Sequence, residues 1–165
     1  MPWKAALNRD HWHLTLHRAC FVEHQDVYTA TILEVFHSGA ELLEVDLSQP
    51  LTPTIRETLA GMLRGPFGIL TAYNPQGRLT EAAENERRAA RLDEKLARHR
   101  LQFVRVDGRS PDGSHRERGV AVHLDEAGVA ELAREFDQEA YYWFDGKDFW
   151  LTDTRGAQAA LRLPA

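Results

Sequence analysis

Residues Phe67-Gly68-Ile69-Leu70-Thr71-Ala72-Tyr73 form an apolar run of strand length with a stop signal on each side. Gly65-Pro66 precedes the run and Asn74-Pro75-Gln76-Gly77 ends it. Glycine and proline at these places interrupt any continuing helix or strand. A strand with so few polar residues needs cover on both faces, so it belongs in the middle of a sheet. Everything else in the chain has to be arranged around it.

Before this run, Val27 to Phe36 is rich in Thr, Val, Ile and aromatic residues, which suit a pleated surface. Ser38-Gly39 signals a turn and Leu42 to Leu47 alternates with Glu44 and Asp46, so the segment predicts a β-hairpin. Thr52-Pro53 opens a short helix, with proline in the first turn.

After the run, a long helix is expected from Thr80 to His99 and strands at Gln102–Val106 and Gly119–Leu124. Asp125 caps a helix whose apolar residues Val129, Leu132, Ala133 and Phe136 recur at amphipathic spacing. Ala140 to Thr152 reads as two aromatic strands joined at Asp145-Gly146-Lys147, and the last ten residues as frayed or lying along the surface. Residues 1–25 stay open between a helix capped by Asn8, the favoured reading, and a strand alternating through Trp12, Leu14 and Leu16. The expected order is α-β-β-α-β-α-β-β-α-β-β. It predicts an α+β fold, a single domain over residues 1–165 with helices packed on one mixed β-sheet.

The totals restrict function more than they define it. Hydrophobic residues at 43% and charged residues at 27% are ordinary globular composition. The single Cys20 excludes an internal disulfide, no signal peptide is visible, and no stretch approaches the roughly 18 apolar residues of a membrane span. A cytoplasmic protein without membrane contact is expected. A net charge of −5 argues against a dedicated nucleic-acid binder. The phosphate-loop, dinucleotide and nucleophile-elbow patterns and paired Cys-x-x-Cys are all absent, and no cofactor is indicated.

Polar residues that break the apolar pattern mark candidate sites. Asn85 falls on the apolar stripe of the long helix with Ala82, Ala89, Leu92 and Leu96. A buried amide left without partners costs about 1–3 kcal/mol, so Asn85 needs hydrogen bonds. Arg88 lies one turn further on, within reach of Glu84 at i, i+4. Two readings stand. In one, Asn85 and Arg88 face a pocket at the end of the central strand together with Thr71, Tyr73 and Asn74. In the other, Asn85 ties the helix to the Asn74-Pro75 turn. Glu117 is the candidate general base if the site performs chemistry.

His13, His17, Cys20 and His24 share one face if their segment is helical. Successive members climb about 5–6 Å per turn, so they cannot close a tetrahedral site, and no metal is predicted. The arginines of the long helix alternate with Glu84, Glu86, Asp93 and Glu94, as on a salt-bridged solvent face.

Gly68-Ile69-Leu70-Thr71-Ala72-Tyr73-Asn74-Pro75 resembles the signature of a bacterial family called domain of unknown function 3293. Further matches are Glu84, Asn85 and Arg88 on the following helix, Glu117 before Val120-Ala121-Val122, and Gln138-Glu139-Ala140 opening an aromatic strand. The resemblance covers residues 66–145. It implies no activity, but it adds Gln138 to the candidate site. The expected function is binding of a small anionic or nucleotide-like ligand by Thr71, Tyr73, Asn74, Asn85, Arg88 and Gln138. The alternative is a non-enzymatic interaction or regulatory module, including a homo-oligomer, that uses the C-terminal aromatic hairpin.

Overall fold

The computed structural model describes residues 21–165. The elements are α1 (Gln25–Thr29), β1 (Ile32–His37), β2 (Ala40–Asp46), α2 (Pro53–Met62), β3 (Phe67–Thr71), a 3-10 turn (Pro75–Gly77) and α3 (Ala82–Arg98). They continue with β4 (Phe103–Arg109), β5 (Arg116–Val122), α4 (Glu126–Glu135), β6 (Ala140–Phe144), β7 (Phe149–Asp153) and β8 (Leu161–Leu163). All eight strands join one sheet in the order β2-β1-β4-β5-β3-β6-β7-β8.

The α+β class holds, with helices packed on a single sheet. Its ladders are antiparallel throughout, and the mixture of directions is found between strands that do not touch. The chain leaves β3, crosses through α3 and returns as β4, parallel to β3 but one place away; β5 fills the gap by a hairpin. It then crosses from β5 through α4 to β6, and β3 fills that gap. Two helical crossovers are thus each split by the strand that begins or ends the other. β3 becomes a central strand, as its apolar run requires.

Both crossover helices cover one face. Leu92 and Leu96 of α3 and Val129, Leu132 and Ala133 of α4 cluster with Leu70, Val120 and Val122. Gly68 permits this close approach, because a Cβ there would lie 2.3 Å from a Val129 methyl. On the other face the sheet curls. Leu33, Val35 and Val45 near one edge share a cluster with Phe149, Leu151 and Leu163 near the other, and with Leu59 of α2. Ile69 on β3, Ala121 on β5 and Val106 on β4 line the inside of this curl.

Local signals explain most boundaries. The Thr52 hydroxyl accepts from Ile55 N at the start of α2, and the Asp125 carboxylate from Gly128 N at the start of α4. Three expectations need correction. Val27 to Thr29 is helical, because α1 occupies Gln25–Thr29 and the hairpin strand begins only at Ile32. Ala82 is exposed at the first residue of α3, leaving Asn85, Ala89, Leu92 and Leu96 as the buried stripe. The C-terminal tail is not a surface segment: β8 pairs with β7 and places Leu163 in the core at 4% exposure. The readings of residues 1–20 lie outside the described residues.

Candidate functional site

The side chains inside the curl follow the period of two along each strand. On β5, Glu117, Gly119 and Ala121 face inward; on β4 their partners are Gly108, Val106 and Val104. Glycines at 108 and 119 leave the inner surface bare where neighbouring positions carry side chains. Gly119 is further constrained, since a Cβ there would lie 2.7 Å from the Leu70 carbonyl oxygen. The result is a cavity of about 120 Å³ against the C-terminal end of β3. Its apolar lining comes from Leu33, Ile69, Val106, Ala140 and Leu151. Its polar lining comes from His24 and Tyr28 at α1, Thr71, Tyr73 and Asn74 at and after the end of β3, and the starts of β5 and β6, with His115, Glu117, Gln138 and Glu139.

Two carboxylates meet this space. Glu117 Oε1 accepts from Asn74 Nδ2 at 2.6 Å and lies 3.0 Å from His115 Nε2. Glu139 Oε2 lies 2.8 Å from His24 Nδ1 and accepts from the Tyr28 hydroxyl at 3.1 Å. The Glu139 side chain is only 4% exposed, and its Oε1 is buried with no hydrogen-bond partner among the described residues. Gly77, at φ +67°, closes over this pair. A Cβ there would lie 2.8 Å from His24 Cε1 and 3.2 Å from Glu139 Oε2, so glycine serves both the left-handed backbone and the close approach.

Burial and the carboxylates shift the titration of His24, Tyr28 and Tyr142. The hydrogen bond to Glu139 is the main cause that raises His24 above its ordinary pKa, against an opposing effect of burial. Burial pushes the Tyr28 hydroxyl well above its usual value, and the charges of Glu139 and Glu117 add to the shift. Burial likewise raises Tyr142, whose hydroxyl donates to the Tyr28 carbonyl at 2.7 Å. Tyr28 therefore feels both carboxylates.

Of the residues expected at the site, Thr71, Tyr73, Asn74, Gln138 and Glu117 line the cavity. Asn85 and Arg88 do not; they hold its wall from behind. The Asn85 amide accepts from Asn74 N at 2.8 Å and donates to Asn74 Oδ1 at 3.0 Å, while Asn74 stands at φ +47°. Arg88 donates to the Ala72 carbonyl at 2.7 Å and to the Phe136 carbonyl at 2.6 Å, and lies 3.5 Å from Asp137. Glu84 pairs with Arg87 at i, i+3 and not with Arg88. The lining residues also spend donors on the protein. Thr71 Oγ1 donates to the Arg118 carbonyl, Gln138 Nε2 to the Tyr73 carbonyl, and the Tyr73 hydroxyl to Glu86.

Residues 70–141 match the family described as a protein of unknown function, DUF3293. The DUF3293 match runs from the end of β3 through α3, β4, β5 and α4 to the start of β6. It thus includes both cavity carboxylates and the Asn74–Asn85 clamp, but not α1 with His24 and Tyr28. Neither the search of curated proteins nor that of solved structures finds a match to the chain.

Sequence reasoning passed over Tyr28, Thr31, His115, Glu139 and Tyr142 as site residues, and considered His24 only as a metal ligand. Two signals pointed to some of them. Glu139 stands between Gln138 and Ala140 in the motif already singled out, and glycines at 108 and 119 interrupt two apolar strands. Among the described residues no group of three His, Cys, Asp or Glu could hold a metal ion, and no helix is long and apolar enough to cross a membrane.

Proposed function

We propose that this protein binds a small polar molecule in the cavity at the end of β3. One observation carries the reading: Glu139 lines the cavity, and its Oε1 is a buried carboxylate oxygen without a hydrogen-bond partner among the described residues. Burying such an acceptor unsatisfied is costly, and a ligand donor would remove the cost. The concave, largely apolar wall with few converging polar groups is the usual form of a small-molecule site.

The ligand's charge departs from the anionic or nucleotide-like expectation. That preference rested on Arg88, whose guanidinium is engaged by backbone carbonyls outside the cavity. The C-terminal hairpin gives the interaction-module alternative little to work with. Phe144 and Phe149 are buried in the core, and the exposed large hydrophobic residues among those described are Val22, Leu42 and Leu79.

The test is thermal stability of wild type and Glu139→Gln against a panel of small polar metabolites. A ligand at a hundred times its Kd adds roughly 2.7 kcal/mol, which raises the melting midpoint of a chain this size by several degrees. The expected result is a shift in wild type that is lost in the variant. A shift that is equal in both proteins places binding elsewhere and defeats the reading.

A further inference from the structure

The polar groups around the cavity differ in what they leave over for a ligand. Asn74, Thr71 and Gln138 donate to Glu117, the Arg118 carbonyl and the Tyr73 carbonyl respectively. What faces the space beyond these bonds is acceptor chemistry. Glu139 Oε1 has no donor among the described residues, and the contacts of Asn74 and His115 with Glu117 converge on its Oε1. No lysine or arginine is among the described lining residues. The nearby arginines are committed elsewhere: Arg105 to Asp107, Arg109 and Arg116 to Glu34, and Arg118 to Asp93.

From this arrangement we propose that the ligand is a small organic cation, a primary ammonium or an amidinium-type group whose N–H donors reach Glu139 Oε1 between the Glu117 and Glu139 carboxylates. The inference rests on the cavity being a binding site and specifies its chemistry. An anion would meet two carboxylates with no arginine or lysine among the described lining residues. His24 and His115 each lie beside one carboxylate, at 2.8 and 3.0 Å, and offset its charge only when protonated. A neutral donor would satisfy Glu139 Oε1 but would make no use of the negative charge that remains. An ammonium carries three donors on a compact positive centre, and an amidinium presents two N–H groups side by side to a carboxylate. The apolar patch of Leu33, Ile69, Val106 and Leu151 fits a short hydrocarbon stem behind the cationic head. The raised titration of Tyr28, caused by burial and then by Glu139 and Glu117, agrees with a site that favours positive charge.

Three probes of equal length separate charge from shape: n-butylammonium, n-butanol and butyrate, titrated into the full chain by calorimetry at low ionic strength. The expected result is one-to-one binding of butylammonium at least tenfold tighter than of either other probe. Glu139→Gln, which keeps the volume and removes the charge, should weaken it at least tenfold; Glu117→Gln provides the same reading should the first variant fail to fold. Ala140→Leu fills the space without altering a carboxylate and should abolish binding. Butylammonium binding that survives Ala140→Leu would be attraction to surface carboxylates and overturns the proposal. If butanol or butyrate binds as tightly and Ala140→Leu removes it, the cation class is wrong while the cavity remains a binding site. If none of the three binds, the cavity reading falls together with its cation class.

Discussion

The residue that holds the most information is Glu139. A carboxylate at 4% side-chain exposure with one oxygen bonded to His24 and Tyr28 and the other unsatisfied is an expensive object to bury. The His24 contact has a measurable consequence. Its pKa is raised above 6.5, mainly by the hydrogen bond to Glu139. The folded state therefore holds the His24 proton more tightly than the unfolded chain does. The stabilisation is fully present below about pH 6.5 and is lost as pH rises through the folded value. Wild type should exceed His24→Asn in melting temperature under mildly acidic conditions, and the gap should narrow as the buffer is made alkaline. A gap independent of pH would mean that the two side chains do not share a proton-linked contact.

At the scale of elements, the Asn74 turn and α3 act as one unit. Asn74 is left-handed, its backbone N–H donates to Asn85, and its side-chain oxygen accepts from both Thr80 N and Asn85. Its remaining side-chain donor is thereby aimed at Glu117. Asn85→Ala removes the clamp and strands buried polar groups of Asn74, at a cost of about 1–3 kcal/mol. In a domain of this size that lowers the midpoint by roughly 2–12 °C. Asn85→Asp should do no better, since it keeps the acceptor for Asn74 N but turns a second oxygen toward two acceptors. Calorimetric melting of both variants checks this, and wild-type stability in Asn85→Ala would show that the clamp is dispensable.

That clamp also shows what the sequence could and could not disclose. The apolar stripe of α3 made Asn85 conspicuous, because one amide among Ala89, Leu92 and Leu96 violates a 3.6-residue pattern. Burial and partnership followed from the cost of an unpaired amide. Which side of the wall it served did not, because that depends on how the 74–77 turn folds back. Glu117 was legible as an acid before an apolar strand; its convergence with Glu139 was not. The two are brought together only when β3 is inserted between β5 and β6, a crossover arrangement that has no local signature. The same reason hid β8, a three-residue strand held by its pairing with β7, by Leu163 entering the core and by Arg162 on Asp148.

For the whole molecule, the curled antiparallel sheet serves two purposes on its two faces. Helices α3 and α4 fill the outer face and fix β3 and β5 in place. The inner face is filled by side chains along most of its length, then left open where Gly108 and Gly119 coincide with the ends of β3 and β6. A rigid scaffold around a small polar opening is what a binding site requires. The most direct check is chemical-shift mapping of backbone amides during titration with n-butylammonium. Saturable shifts are expected on Gly77, Gly108, Gly119 and Glu139, which are far apart in sequence and meet at the cavity. Shifts scattered over the exposed acidic residues of α3, with those four amides unmoved, would contradict binding there.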